Sequence, residues 1–189
     1  MRDAYELWRD GWKATLHELE GIDRIDSDDF GRQHEIGVLA VGRACLSVTG
    51  LRWLDLSEPM AREDSYFRSW PTEALRALGE CRVAVSSNTV VDHAWRQTRI
   101  DPATEGEPTS IAVATIALSV RRYIDSTADK FIGVSRNDRS MHRVATTAGC
   151  HRIGQTLVHG IESDLMCRDV KDTSHFDSVV RDLWSRRWQ

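Results

Sequence analysis

Residues 130–154, KFIGVSRNDRSMHRVATTAGCHRIG, leave few ways to fold. Phe131, Ile132, Gly133 and Val134 form a short apolar run, which predicts a buried strand, and the polar residues 135–138 break it. Met141, Val144, Ala145 and Ala148 then recur at three- and four-residue steps, the spacing that gathers side chains on one face of a helix. Gly149 stands where a left-handed residue closes such a helix, and a new strand is expected after it. Strand, loop, short helix, glycine stop and returning strand in so small a span put the chain in the α/β class.

The remaining chain supplies elements that fit this unit. Leu7, Trp8, Trp12, Leu16 and Leu19 predict an amphipathic helix over residues 4–19, with Glu6, Arg9, Asp10, Lys13 and Glu18 on its other faces. Residues 21–32 carry four aspartates without apolar periodicity and read as a loop. Two apolar runs, 34–41 and 44–54, flank Gly42-Arg43 and predict a hairpin. An irregular excursion over 57–78 holds Pro59, Pro71 and the aromatics Tyr66, Phe67 and Trp70, and its end, 71–78, reads as a helix with proline in its first turn. Val83 and Val85 alternate with small residues in a strand over 80–91, on which Glu80 and Arg82 share a face and can pair. Ser110 or Thr109 caps a strongly apolar helix over 110–126. Residues 155–170 are either the last two strands or one strand bulged at Gly160. The tail over 173–188 follows, capped by Ser174, with Phe176, Val179, Val180, Leu183 and Trp184 on one side, and reads as a docking helix or a partner contact.

Length and charge exclude several functions. A chain of 189 residues is expected to form one domain, residues 1–189, and a net charge of −4 gives no pull toward nucleic acid. The helix containing HRVATTAG has a helix-turn-helix flavour, but no basic face surrounds it. No apolar stretch reaches the roughly 18 residues that span a bilayer, and no signal-peptide core opens the chain, so a cytoplasmic protein is expected. Cys45, Cys81, Cys150 and Cys167 lie apart in apolar surroundings, without the spacing of a zinc site or a disulfide framework, and read as small buried hydrophobes. Arg52, on the second hairpin strand, needs an anionic partner if it faces the core, since an unpaired buried guanidinium is costly. The clustered arginines, far more numerous than lysines, fit either surface ion pairs or a phosphate or acidic carrier protein.

The pattern over 130–154 resembles the ending of the GCN5-related N-acetyltransferases. Its wording, vS…D…MHR…TAGC…RIG, is most similar to the acyl-homoserine-lactone (autoinducer) synthases of quorum sensing and to the N-acyl amino acid synthases. The resemblance spans about residues 5–170 and implies a GNAT-like fold, a mostly antiparallel, V-shaped mixed sheet flanked by helices. It implies an N-acyltransferase that moves an acyl group from acyl carrier protein or acyl-CoA to the amine of an amino acid or an S-adenosylmethionine-like substrate. No tightly bound cofactor and no metal are implied.

By the same resemblance, Glu80 and Arg82 stand at the strand start where the family carries a catalytic E-x-x-R; the spacing here is one residue shorter, so only one of the two keeps the family's register, and a glutamate there is the implied base. Arg9, Trp12, Asp23, Asp26, Asp29 and Arg52 are implied around the amine, with Arg52 either paired to an aspartate of the acidic loop or lining the amine site. Phe67, Ser135 and Met141 are implied around the acyl chain. The glycine-rich R/Q-x-x-G-x-G/A phosphate loop of most acetyltransferases is missing from residues 92–108. Arg96, Arg99, Arg121 and Arg122 are therefore expected to meet the phosphopantetheine phosphate or the carrier surface. Two other readings fit the same residues: an ordinary CoA-dependent acetyltransferase, and a non-catalytic member of the fold that binds an acylated ligand or carrier.

Overall fold

The computed structural model describes residues 3–25, 29–102, 106–174, 176 and 178–186. Helix α1, Ala4–Glu20, starts with a reciprocal capping box between Asp3 and Glu6 and stops at Gly21, whose φ of 67° only glycine adopts cheaply. Strands β1, Glu35–Val41, and β2, Ala44–Asp55, form the hairpin turned at Gly42. The excursion contains helix α2, Pro59–Arg62, a 3-10 turn Ser65–Ser69 and helix α3, Thr72–Leu78. Pro71 is the N-cap of α3 and stands outside its first turn. Strand β3, Arg82–Val91, leads through a 3-10 turn, His93–Trp95, to the two-residue strands β4, Arg99–Ile100, and β5, Thr109–Ser110, which pair with each other.

Helix α4, Ile111–Ile124, begins at Ser110, whose hydroxyl accepts from the Val113 N–H. Strand β6, Lys130–Arg136, helix α5, Met141–Thr147, and strand β7, His151–Val158, form the strand–helix–strand unit read from the sequence. Strand β8, Ile161–Arg168, returns through a tight turn at His159 and Gly160, with φ of 52° and 74°, so the last apolar run is a hairpin of two strands. Helix α6, Ser178–Ser185, is shorter than the 173–188 helix expected, and it packs its buried Val179 and Val180 inward.

The six long strands make one sheet in the order β1-β2-β3-β6-β8-β7. Every neighbouring pair is antiparallel except β3 and β6, which α4 joins as a parallel pair. Period-two alternation gives each face its own core. Leu51, Ala84, Phe131 and Met166 meet Ala117, Val120 and Tyr123 of α4, Ala145 of α5, and Val180 of α6. On the other face Val83, Val85, Ile132 and Leu165 are covered by Leu56, Phe67, Trp70, Ala74 and Leu78, while Leu7 and Trp8 of α1 cover Val48 and Val90. Gly11 is required for that approach, because a Cβ there would stand 2.4 Å from the Val90 side chain. Among the described residues no helix is long and apolar enough to cross a membrane.

Candidate active site

The parallel pair at the centre of the sheet comes apart halfway. Residues Val83 to Ser86 of β3 pair with Lys130 to Gly133 of β6, and there the ladder stops. A β-bulge drives the separation: Thr49 of β2 faces two residues of β3, Asn88 and Thr89, and Asn88 takes a φ of 57°. An extra residue bends its strand and increases the twist. Strand β6 keeps its register with β8 to Arg136, so the two edges diverge as a V. Backbone groups that would have continued the ladder are left facing the gap, where a ligand can meet them.

A cleft of about 560 Å³ fills this gap and passes through the sheet. On the α4/α5 side its wall is apolar, built from Ile116, Phe131, Met141, Val144, Ala145 and Met166. Toward α1 it is lined by Gly11, Trp12 and Thr15, with Ser65, Tyr66 and Ser69 from the 3-10 turn beside them. The indole N–H of Trp12 and the hydroxyl of Tyr66 are both buried there without a hydrogen-bond partner. Arg96, Ser135, Arg136, Arg139 and His159 stand along the rest of the lining.

No aspartate or glutamate is among the described lining residues. The carboxylates stand behind the basic groups. Glu20, the last residue of α1, binds Nδ1 of His159, and Glu18 binds the Arg139 guanidinium. Asp138 accepts from Arg136 Nε at 3.0 Å and Nη2 at 2.5 Å, and hydrogen bonding to that guanidinium is the main reason its carboxyl titrates below the usual range. The Arg96 Nε contact to the Val91 carbonyl is long, 3.4 Å. Burial pushes the Cys150 thiol up to about 12, so it is a neutral wall residue and a poor nucleophile. Cys150 and Cys167 are buried and Cys81 half-buried.

Four of the residues implied by resemblance line the cleft: Trp12, Arg96, Ser135 and Met141. The others lie elsewhere. Arg9 binds its neighbour Asp10 at 3.0 Å and lies over Tyr5. Asp23 pairs with His17 at 2.8 Å and Asp29 with Arg32 at 3.4 Å, both near the surface, and Asp26 lies outside the described residues. Arg52 does have an acidic partner, but it is Asp64 of the excursion, because Arg52 shares the sheet face that the excursion covers. Phe67 is packed between Tyr66 and Trp70 in the core, and its neighbour Tyr66 is the one that reaches the cleft.

Glu80 is exposed in the bend before β3, and Arg82 is exposed at the first position of that strand, whereas the cleft opens only from Ser86 onward. Alternation told which residues share a face, but not at which end the neighbouring strand turns away. Arg99 donates to the Pro108 carbonyl at 3.3 Å. Arg121 binds Asp125 at 2.7 Å and stacks over Trp184, while Arg122 binds Glu35 at 2.6 Å over Trp53. Both sit in the last turn of α4, away from its Ala112 and Ile116, which line the cleft. Among the lining residues that sequence reasoning missed are Tyr66, Asn88, Arg136, Arg139 and His159. Only one of them had a local signal: His159-Gly160 reads as a turn.

No family model matches the sequence, and no curated protein matches it. Solved structures do. The chain is similar to BjaI, a CoA-dependent acyl-homoserine lactone synthase solved with SAM and isopentyl-CoA, at 14% identity and a TM-score of 0.56, over 96% of this chain and 79% of that one. It is similar to FeeM, an N-acyl amino acid synthase from uncultured soil microbes, at 13% identity and a TM-score of 0.50, over 86% and 88% of the two chains. Arabidopsis thaliana NAA60 in complex with acetyl-CoA matches at 12% identity and a TM-score of 0.50, over 85% and 92%. The chain therefore has the GNAT-like acyltransferase fold that the pattern at residues 130–154 implied.

Proposed function

We propose that this protein is an N-acyltransferase that takes an acyl chain from a thioester, acyl-CoA or acyl carrier protein, and attaches it to the amine of an amino-acid-like or S-adenosylmethionine-like substrate. The observation that carries this reading is the cleft at the strand fork, apolar on its α5 side and polar on its α1 side. The acyl chain lies against Met141, Val144 and Ala145, the thioester carbonyl sits between Ser86 and Gly133, and the pantetheine arm leaves past Ser135 and Arg96. The amine enters beside Trp12. Its nitrogen bonds to the carbonyl carbon, the C–S bond breaks, and an amide and a thiol result.

Holding the two reactants in contact supplies much of such a rate, and no covalent enzyme intermediate is needed. The amine must still lose a proton. Among the described lining residues His159 is the one imidazole, and Glu20 binds its Nδ1, which leaves Nε2 to accept that proton. Substrates of this kind place the enzyme in the cytoplasm. An ordinary acetyltransferase fits less well, because an acetyl group would leave most of the apolar wall uncovered.

The test is to incubate the purified protein with acyl-CoA and acyl-carrier-protein donors of graded length, together with amino acids and S-adenosylmethionine, and to look for products by mass spectrometry. Long-chain N-acyl products are expected. Acetylated products alone would favour the acetyltransferase, and binding of donors without any product would leave an acyl-binding protein.

A further inference from the structure

One wall of the cleft holds a buried hydroxyl whose proton has no acceptor. Tyr66 lines the cleft, and its Oη is shut off from solvent without a hydrogen-bond partner. Burial is the main reason its proton is held well above the ordinary tyrosine range, so the group remains a donor at any physiological pH. The Val134 backbone lowers that value, as an N–H directed at the oxygen does, and the hydroxyl's own proton is left without an acceptor. Val134 is the first residue of β6 beyond Gly133, the last to pair with β3, so the hydroxyl stands at the fork itself.

This hydroxyl is held firmly. The Tyr66 N–H donates to Asp64 Oδ1 at 2.8 Å, and Arg52 grips that carboxylate with both terminal nitrogens. The Arg52 guanidinium lies 5.8 Å from the centre of the Tyr66 ring, and the rings of Phe67 and Trp70 flank it at 5.4 and 5.9 Å. A buried donor without an acceptor weakens a protein, and a phenylalanine in this place would avoid that cost. Such a group fits a role that a ligand completes.

We propose that Tyr66 donates its hydroxyl hydrogen bond to the carbonyl oxygen of an acyl ligand seated where β3 and β6 part. The inference rests on the acyl-transfer reading and adds the group that stabilises charge on that oxygen. As the amine nitrogen bonds to the carbonyl carbon, the oxygen gains negative charge, and it gives that charge back when the C–S bond breaks. The proton stays on Tyr66 throughout. A fixed donor aimed at developing charge in a dry site is worth more than the same donor in water. Arg52 and Asp64 act through Tyr66 and are positioning residues.

Two inert pantetheine probes test this: a ketone, with one methylene between sulfur and carbonyl, and the thioether that lacks the oxygen. Calorimetry on the wild type should find the ketone bound roughly tenfold more tightly. In Tyr66→Phe the two should bind alike, thermal stability should stay the same or rise, and kcat for transfer should fall roughly a hundredfold while the donor KM rises by no more than the roughly tenfold lost from ketone binding. A wild type that does not distinguish the probes, or a Tyr66→Phe protein that still does, overturns the role of Tyr66 alone. If neither probe binds the wild type, the acyl reading falls and takes this role with it.

Discussion

Arg52 meets Asp64 with both ends of its guanidinium, at 3.0 and 2.9 Å, and thereby fastens the 3-10 turn that carries Tyr66 to the middle of the sheet. The two side chains are only 8% and 17% exposed, so this ion pair lacks the solvent screening that makes most surface pairs weak.

Removing one partner should leave the other charge buried. Asp64→Ala is expected to lower unfolding stability by about 3 kcal/mol in urea titrations. Arg52→Lys should recover little of what Arg52→Ala loses, because one ammonium cannot replace a two-toothed contact. Full stability in Asp64→Ala would mean that the pair holds nothing in place.

His159 and Glu20 join the hairpin turn between β7 and β8 to the end of α1, and the neighbouring Arg139–Glu18 pair ties the same helix to the cleft rim. His159→Gln should lower kcat for acyl transfer roughly a hundredfold, while inert donor analogues bind as before. Glu20→Gln should cost less, about tenfold. A His159→Gln variant that kept its rate would assign the base elsewhere.

Val144 projects from α5 into the apolar half of the cleft. Val144→Phe should shorten the chamber and shift donor preference toward shorter acyl chains. Competition between two donors in one mixture, read by mass spectrometry, gives the ratio directly. An unchanged ratio would remove the α5 side as the acyl chamber.

Burial raises the thiols of Cys150, to about 12, and Cys167, to about 11, and the Tyr123 hydroxyl to about 12. In the unfolded chain these groups ionise nearer their ordinary values, 9.0 for the thiols and 10.0 for the phenol. Between those values and the raised ones the unfolded state binds fewer protons, so unfolding stability decreases as pH rises. Urea midpoints should drop between about pH 8 and about pH 11, with each thiol contributing roughly 1 kcal/mol per pH unit once its unfolded form has ionised. Cys150→Ala with Cys167→Ala should flatten that slope relative to its own value at pH 8.

Local patterns identified most of the elements, and where a position depended on distant pairing they failed in consistent ways. Gly42, the 159–160 turn and Gly149 carry conformations that few residues tolerate, so turns and stops could be read one at a time. The start of β3 was misplaced because Glu80 and Cys81 continue its alternation, although the chain is still turning there. Helix α6 covers fewer residues than the apolar spacing suggests, because Phe176 packs into the core from the segment before the helix.

The sequence by itself determined what near neighbours decide: the amphipathic face of α1, the hairpin, the apolar α4, and a strand–helix–strand unit whose Met141 and Val144 line the cleft. These follow from spacing of three, four or two residues, which every chain with the pattern shares. Tertiary structure decided where the site is. The fork exists because a bulge opposite Thr49 bends β3 while β8 holds β6 straight, and neither partner is adjacent in sequence. The same long-range pairing joined Glu20 to His159, gave Arg52 to Asp64 in place of the acidic loop, and brought the hydroxyl of Tyr66, which nothing local marks, to the point where the two strands part.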